Sequence, residues 1–509
     1  MMNRNPLALY VVFVLMILGL ANQSEAREWT IVGPRALGMG GANVAVANDA
    51  TADYWNPAAF GFFKDSGGGD YGKRDWSWQI NAGVGAQIHG DMGQEINDIS
   101  KFNFSDIQNA INSGTPLTGT QVSNFIQLVN ELKLINSEQN QVTSVSADGG
   151  LRIQVGHFGI GAYALADLSS VPTLDLVDLS PGNSNLISEF ASSTTPFGSA
   201  SCGSANFFSP SQITSLTNSL SKMPGWSPTS ISNYINSTNC ALSSAQSSGV
   251  SLPTSNTIVT DLTSTAQLAS NSQAGNSLSN NTSSLIFRGI AVTEVPITYG
   301  RAISEDLSIG GNLKFMQGRA YHSIVPVFNN FSDALNKAED KYEESQNFGL
   351  DLGLLYRLGD KLRFGMVGRN LNGPSFAMPS IVLNGPDDSI RELPEVRAGI
   401  AYKPLSFLMF AADVDLTRND TTMPGESYKS QNVAGGMELN IFKFIQLRGG
   451  IYTNLAENDI GPVYTAGLGL NFWLFNLDIG AAMGSKRGQI DDNSIPNEAR
   501  AEFALSMLF

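Results

Sequence analysis

The sequence is poor in the residues on which enzymes and metal sites most often depend. Its 509 residues include two cysteines, three histidines and only 15% charged residues, whereas soluble domains carry about 25% charged residues. His89, His157 and His322 stand far apart, so no Cys/His metal cluster can be assembled at known ligand spacings. We therefore expect no catalytic residues, no metal and no cofactor.

Positive charge is scarce as well. The sequence has 30 Lys and Arg against 45 Asp and Glu, a formal net charge of -15. A protein held on nucleic acid by phosphate contacts needs a basic face, so this class is excluded. Beyond the amino terminus no stretch reaches the 18 apolar residues of a membrane-spanning helix.

The first 26 residues predict a secretory signal peptide. Arg4 supplies the positive start, residues 7–20 are apolar, and Ser24-Glu25-Ala26 places small residues at the recognition positions. The apolar run is shorter than the roughly 20 residues of a spanning helix. The alternative is an uncleaved membrane anchor. In either case we expect an exported protein.

The carboxyl-terminal half alternates apolar and polar residues with a period of two. In residues 497–509, Phe503 and Leu505 share one face, whereas Arg500 and Glu502 share the other. Successive side chains of a strand point to opposite faces, so each such segment has one apolar and one wet face. The same alternation recurs in residues 347–357, 395–403 and 408–417.

These segments come in pairs joined by very short turns and separated by longer polar stretches, which is how outer-membrane barrels are built. We predict an all-β fold, a transmembrane antiparallel β-barrel of about 14 strands with both ends on the periplasmic side. The predicted strands are 76–90, 143–155, 158–168, 285–303, 307–321, 347–358, 361–372, 394–403, 408–417, 431–442, 445–454, 464–473, 475–485 and 497–509.

Three insertions interrupt the strands, and we assign them to extracellular loops. Residues 91–142 contain helical spacing, residues 331–345 are a charged helical candidate, and residues 180–284 are dominated by Ser, Thr and Asn. The last stretch predicts loose order, because it cannot easily bury a core. It contains Cys202 and Cys240, for which a disulfide is expected in an exported protein. A reactive thiol pair is the alternative.

Residues 27–75 do not alternate and predict a separate hatch or plug before the barrel at 76–509. Small residues are dense here, as in Gly38-Met39-Gly40-Gly41, and Trp55-Asn56-Pro57-Ala58 follows. Such residues permit tight backbone packing in a confined space. A phosphate-binding loop is the alternative interpretation, but Asn43 replaces the third glycine of a dinucleotide fingerprint and no strand–helix unit follows.

This run resembles the amino-terminal hatch of the FadL-like outer-membrane transport family, especially its branch of TraF-like conjugal-transfer proteins, with PorV-type proteins as further relatives. Residues 397–402, 412–416 and 446–452 also look like that branch. The resemblance implies a plugged fourteen-stranded barrel whose hydrophobic ligands enter from outside and leave sideways through the wall. It carries over a hatch motif consisting of Gly38, Gly40, Gly41, Asn56, Pro57 and Ala58.

We therefore predict a bacterial outer-membrane channel for hydrophobic compounds of the long-chain fatty acid type. Its expected partners are membrane lipid, apolar small molecules and the outer-membrane assembly machinery, for which Phe509 is the assembly signal by resemblance. One alternative is a non-transporting barrel serving assembly, secretion or contact with a surface protein. Another is a diffusion porin that uses charged residues of the lumen, although the same residues can simply be solvated in the lumen and paired with one another. These residues are Arg288, Lys314, Arg363, Arg369, Asp413, Asp415, Glu438 and Arg448.

Overall fold

The computed structural model describes most of the chain after the predicted signal peptide. The described residues are 28–63, 75–89, 142–175, 206–222, 226–247, 254–260, 262–263, 281–326, 341–379, 389–422, 428–442, 444–472, 475–490 and 493–508. The predicted signal peptide, Cys202, Phe509 and most of the insertion at 91–142 lie outside this part of the chain.

Fourteen strands form one closed antiparallel barrel, as the alternation predicts. The first strand pairs with the last from Ser77–Leu508 to Gln87–Glu498, which closes the sheet. The wall strands are β1 (Trp76–His89), β2 (Val142–Val155), β3 (Phe158–Thr173), β4 (Ser284–Ala302), β5 (Leu307–Pro326), β6 (Tyr342–Leu358), β7 (Leu362–Arg369), β10 (Glu395–Leu405), β11 (Leu408–Asp415), β14 (Asn432–Ile441), β15 (Ile445–Asn454), β16 (Val463–Asn471), β17 (Asn476–Gly484) and β20 (Glu498–Leu508).

The remaining strands form three small hairpins in the connections on the long-loop side. They are β8 (Ser375–Ala377) with β9 (Ser389–Arg391), β12 (Asn419–Asp420) with β13 (Lys429–Ser430), and β18 (Arg487–Ile490) with β19 (Asn493–Pro496). The opposite rim has only short turns, such as Gly156-His157 between β2 and β3. This asymmetry is that of outer-membrane barrels, with short turns on the periplasmic side.

Strand β6 begins earlier than its sequence suggests. Residues 342–345 belong to the predicted helical candidate, yet they continue the strand and pair with β5 up to Tyr321–Tyr342. The prediction was wrong for these four residues, because pairing with the long neighbour β5 satisfies their backbone groups. Residues 327–340 lie outside the described part.

The outward face of the barrel is apolar. Large apolar side chains are exposed at many of the alternate strand positions that face outward, such as Ile80 and Val84 in β1 and Leu313 and Phe315 in β5. In water such a surface would be very costly, whereas lipid accommodates it. This apolar belt and the closed sheet define an outer-membrane protein. In the described chain no helix has the length and apolar character to cross a membrane.

Residues 28–63, which we call the amino-terminal segment, pack inside the barrel. The segment contains helix α1 (Pro34–Gly38), helix α2 (Ala52–Trp55) and a 3₁₀ helix (Pro57–Phe62). Almost all its side chains are buried, and they form the main apolar core with inward residues of the wall. The segment begins near the outer rim and reaches the periplasmic turns, where His157 Nδ1 lies 2.7 Å from the carbonyl oxygen of Phe60.

The long insertion between β3 and β4 contains two helices, α3 (Pro210–Leu220) and α4 (Pro228–Ser247). We call the described residues between 206 and 263 the loop unit. Its apolar residues form a core of their own, so the expectation that this stretch buries no core is wrong for these residues. The buried members are Phe208, Leu216, Leu220, Ile231, Tyr234, Ile235 and Leu262.

Candidate functional site between the amino-terminal segment and the barrel wall

Glycine allows the backbone of the segment to lie directly against the wall. Gly40 and Gly41 have positive φ values of 71° and 87°, a conformation that side chains with a Cβ disfavour. A Cβ on Gly40 would also lie 2.6 Å from the carbonyl oxygen of Ile451, and one on Gly38 would lie 2.9 Å from Cα of Gly467. Gly38 and Gly40 therefore allow the backbone of the segment to approach the backbone of the wall closely.

Asn56 joins three parts of the structure through its side chain. Its Nδ2 donates to the carbonyl oxygens of Val44 and Leu354, each at 3.1 Å. Its Oδ1 accepts from the amide of Ala58 at 3.1 Å, which caps the 3₁₀ helix that begins at Pro57. The Asn56-Pro57-Ala58 motif thus fixes a turn of the segment and attaches it to strand β6.

Two aspartates of β11 hold the segment near the outer rim. Asp413 Oδ2 accepts from the backbone amides of Asn43 and Val44 at 2.8 and 2.9 Å. Asp415 pairs with Arg397 at 2.5 Å, and this guanidinium lies 4.6 Å from the ring of Trp29. Both carboxylates therefore anchor the segment, one directly and one through an arginine.

A second anchor lies on β14, the strand next to β11 in the wall. Arg35 of the segment donates to both carboxylate oxygens of Glu438, at 2.9 and 3.0 Å. Arg448 donates to Glu438 at 2.8 Å and to Asp478 at 2.5 Å. A bidentate arginine–carboxylate pair fixes geometry as well as charge. These contacts orient helix α1 against β14, β15 and β17.

A third group of charges is fully buried between the segment and β2 to β7. Asp53 lies 3.1 Å from Nε of Arg152, and Lys314 contacts Glu294 and Asp351 at 3.1 Å each. Breaking a buried ion pair costs about 3–5 kcal/mol, since it leaves an uncompensated charge. This group therefore makes release of the segment costly.

Burial raises the pKa of Asp53 to about 7, because lost hydration outweighs the attraction of Arg152. Burial likewise raises the pKa of Glu28 to about 7, with Glu498 adding repulsion. A carboxyl whose pKa is higher in the packed than in the released state stabilises packing at low pH. That contribution is lost as the pH rises through about 7.

An apolar cluster covers the inner wall on the extracellular side of the Lys314 group. Inward residues of β4 and β5 meet the β8–β9 hairpin there, and a Cβ on Gly318 would collide with the ring of Phe376. The hairpin is held by Asn347, whose Nδ2 donates to the carbonyl oxygen of Ser375 at 3.0 Å. The cluster consists of Ile290, Val292, Met316, Ala320, Phe376, Met378 and Ile390.

The predicted lumen charges are all buried in the wall. Lys314, Arg369, Asp413, Asp415, Glu438 and Arg448 belong to the contacts above, and Arg288 and Arg363 are also buried. Cys240 of α4 is disulfide-bonded, but Cys202 lies outside the described residues, so their pairing stays a prediction. The role of Phe509 stays a prediction for the same reason.

Sequence reasoning missed the partners of these charges. Asp53, Arg35 and Trp29 belong to a segment without periodicity, and the interpretation rested on its glycines alone. Arg152 and Glu294 stand at alternating positions of predicted strands, so an inward orientation could have been inferred for both. Nothing in the sequence pairs Arg152 with Asp53.

The closed wall and the apolar belt define the protein as an outer-membrane β-barrel, with the amino-terminal segment packed inside it. The F plasmid transfer operon TraF protein family matches residues 53–415, more than half of the chain. The chain belongs to this family, and the predicted membership in the TraF-like branch of FadL-like proteins is confirmed.

Several solved structures are similar to the chain at low identity. The toluene transporter TbuX of Ralstonia pickettii is 11% identical, with 94% of this chain and 98% of that chain covered and a TM-score of 0.41. For the toluene transporter TodX of Pseudomonas putida the values are 11%, 95%, 99% and 0.43. For a Pseudomonas aeruginosa FadL homologue they are 10%, 94%, 98% and 0.40. No curated protein matches the sequence.

Proposed function

We propose that the barrel passes hydrophobic compounds, such as long-chain fatty acids, through the outer membrane while the amino-terminal segment plugs the lumen. The observation that carries this proposal is the apolar cluster inside the barrel around Val292 and Phe376, on the extracellular side of the segment. Water-filled pores line their walls with polar groups. An apolar inner wall instead favours a guest that leaves water.

The segment supports the same proposal, because it occupies the space that an open pore would need. Its contacts with Asp413 and Glu438 on the adjacent strands β11 and β14, and with Arg152 on β2, hold it against two opposite parts of the wall. Charges committed to such contacts are poorly placed to select ions, which argues against the diffusion porin. A sideways exit through the wall, which the family resemblance implies, belongs to the proposal as well.

The proposal is tested by uptake of radiolabelled oleate in a deletion strain that carries plasmid-borne variants. Ile290→Ser introduces a hydroxyl into the buried cluster and should lower uptake several-fold. Ala291→Ser, one residue away on the outward face, should leave uptake unchanged. Slower migration of boiled samples on a detergent gel verifies that each variant forms a barrel. Equal uptake with and without the wild-type gene would refute the transport function.

A second function, contact with a surface protein, is favoured by the loop unit. Its helices form their own core around Leu216 and Tyr234 and do not depend on the wall for burial. A folded unit on the outer side could serve assembly or secretion without transport. Deleting residues 206–263 should then abolish that partner's surface assembly, and normal assembly in this variant would leave transport as the single proposal.

A further inference from the structure

A small, partly open cavity lies at the outer rim, away from the apolar cluster. It is bounded by the outer ends of β1, β15, β16 and β20 and by Glu28 at the start of the amino-terminal segment. Its volume is about 30 Å³, which accommodates roughly two water molecules or a group of two non-hydrogen atoms.

Two polar side chains lining this cavity are buried without hydrogen-bond partners. Neither ring nitrogen of His89 is bonded, nor is the hydroxyl of Tyr428, although these residues are only 4% and 6% exposed. The two rings contact each other edge to face, with centroids 5.1 Å apart. Burying a polar group without a hydrogen-bond partner costs free energy. A guest with hydrogen-bonding groups would recover that free energy.

The charged residues around the cavity determine whether a positively or a negatively charged guest is favoured. Glu28, Glu498 and Glu457 all line it, and Asp459 Oδ2 lies 4.0 Å from His89 Nδ1. Lys429 also lines the cavity, but its ammonium group pairs with Asp420 at 2.6 Å.

Two further cations lie nearby. Arg500 attracts the carboxyl groups of Glu28 and Glu498, and Arg418 attracts that of Glu457. Four carboxyl groups thus face two arginines and an already paired lysine. Anions and neutral apolar groups fit poorly here, whereas a cation is favoured.

The size of the cavity and its hydrogen-bonding groups limit which cations can bind. Among the described residues, no three His, Cys, Asp or Glu side chains are placed to hold a metal ion. A primary ammonium group donates three hydrogen bonds, enough for a carboxylate of Glu28 or Glu498, a nitrogen of His89 and the oxygen of Tyr428.

We propose that this cavity binds a primary ammonium group. Two sources have this chemistry: a small free amine, and the α-amino group that signal-peptide removal would leave on Arg27, directly before Glu28. Both place a compact cation between the carboxylates and the unpaired ring nitrogens. The proposal is independent of the transport of hydrophobic compounds.

The test follows the ring nitrogens of His89 by ¹⁵N NMR on the complete, detergent-solubilised protein, with the His89→Gln variant providing the assignment. Methylammonium chloride is titrated in, with tetramethylammonium chloride at the same ionic strength as the size control. If a free amine is the guest, methylammonium shifts the His89 signals saturably and tetramethylammonium does not. Glu498→Gln should weaken that binding at least about tenfold, and Tyr428→Phe should weaken it while keeping all charges.

A second part of the experiment distinguishes a free amine from the α-amino group of the chain itself. If the chain's own α-amino group fills the cavity, methylammonium has no effect until that group is acetylated, and acetylation itself shifts the His89 signals. The proposal is overturned if neither methylammonium nor acetylation shifts these signals, or if tetramethylammonium acts as strongly as methylammonium. Tyr428→Phe keeps the test valid should Glu498→Gln fail to fold.

Discussion

The amino-terminal segment and the loop unit are both rich in small residues and poor in charge, yet they achieve order in opposite ways. The segment has little periodicity and takes its partners from the wall, through residues such as Asp413 and Arg152. The loop unit has helical periodicity and takes its partners from itself, through residues such as Leu216 and Ile235. Amino-acid composition alone therefore does not determine how a region becomes ordered. What differs between these two regions is whether the packing partners come from the wall or from the region itself.

The largest expected effect comes from breaking the Asp53–Arg152 pair, which joins the segment to the wall. Arg152→Met at pH 8 leaves a buried carboxylate without its cation, which costs about 3–5 kcal/mol. We expect release of the segment to increase at least about 100-fold, since 1.4 kcal/mol corresponds to a factor of ten. Cleavage by trypsin after Arg35, measured by mass spectrometry, reports release.

The double variant Asp53→Asn with Arg152→Met is the matched control, because it removes both charges together. It should recover much of the protection, and the loop unit should be unaffected in both variants. Unchanged cleavage in Arg152→Met would mean that the wall does not hold the segment through this pair.

The complementary variant addresses the loop unit. Leu216 is 1% exposed, and Leu216→Ala in such a core costs about 2–5 kcal/mol. Hydrogen exchange of α3 and α4 should accelerate at least about 30-fold, while the segment stays protected. Asn218→Ala, at an exposed position, is the control. If the segment loosened as well, the two regions would not be independent.

The smallest expected effect is that of pH. Between pH 6 and pH 8 the released Asp53 stays ionised, whereas the packed carboxyl, with its pKa raised to about 7 by burial, changes from mostly protonated to mostly ionised. Release of the segment should therefore rise about tenfold across this interval. Trypsin cleavage after Arg35, corrected for the pH dependence of the protease on a model peptide, measures it.

The loop unit serves as the internal reference, because Lys222 is the single charged residue among its described positions. Its hydrogen exchange, corrected for the intrinsic pH dependence, should not change between the two pH values. Asp53→Asn should remove most of the pH response of the segment. A response that persists in this variant would place the titrating group elsewhere, with Glu28 the next candidate.

The fourteen wall strands could be predicted because alternation is a local signal: Phe503 and Glu502 reveal their faces within β20 itself. The sequence also contains part of the signal that predicts the helices of the loop unit. Ser209 and Gln212 form a capping box, and Ile213, Leu216 and Leu220 follow at helical spacing, but the Ser- and Thr-rich composition obscured both signals.

The contacts of the segment could not be predicted, because they depend on which strands face each other across the lumen. Asp53 and Arg152 are far apart in sequence, and Arg35 and Glu438 are farther still, at 403 residues. The glycines of the hatch motif indicated where the segment approaches the wall closely, such as Gly40 against Ile451. They did not indicate which wall residue lies there. Only the closed barrel brings these residues together.

The hydrogen bond from the amide of Gly33 to Glu502, which spans 469 residues, sets an order of events. The segment precedes the wall strands in the chain and has a partner on β20, so it cannot reach its final position until β20 has been synthesised. Contacts of such sequence separation form slowly, since a long loop must close before they gain anything. The segment is therefore synthesised before the barrel wall and is among the last parts of the protein to fold.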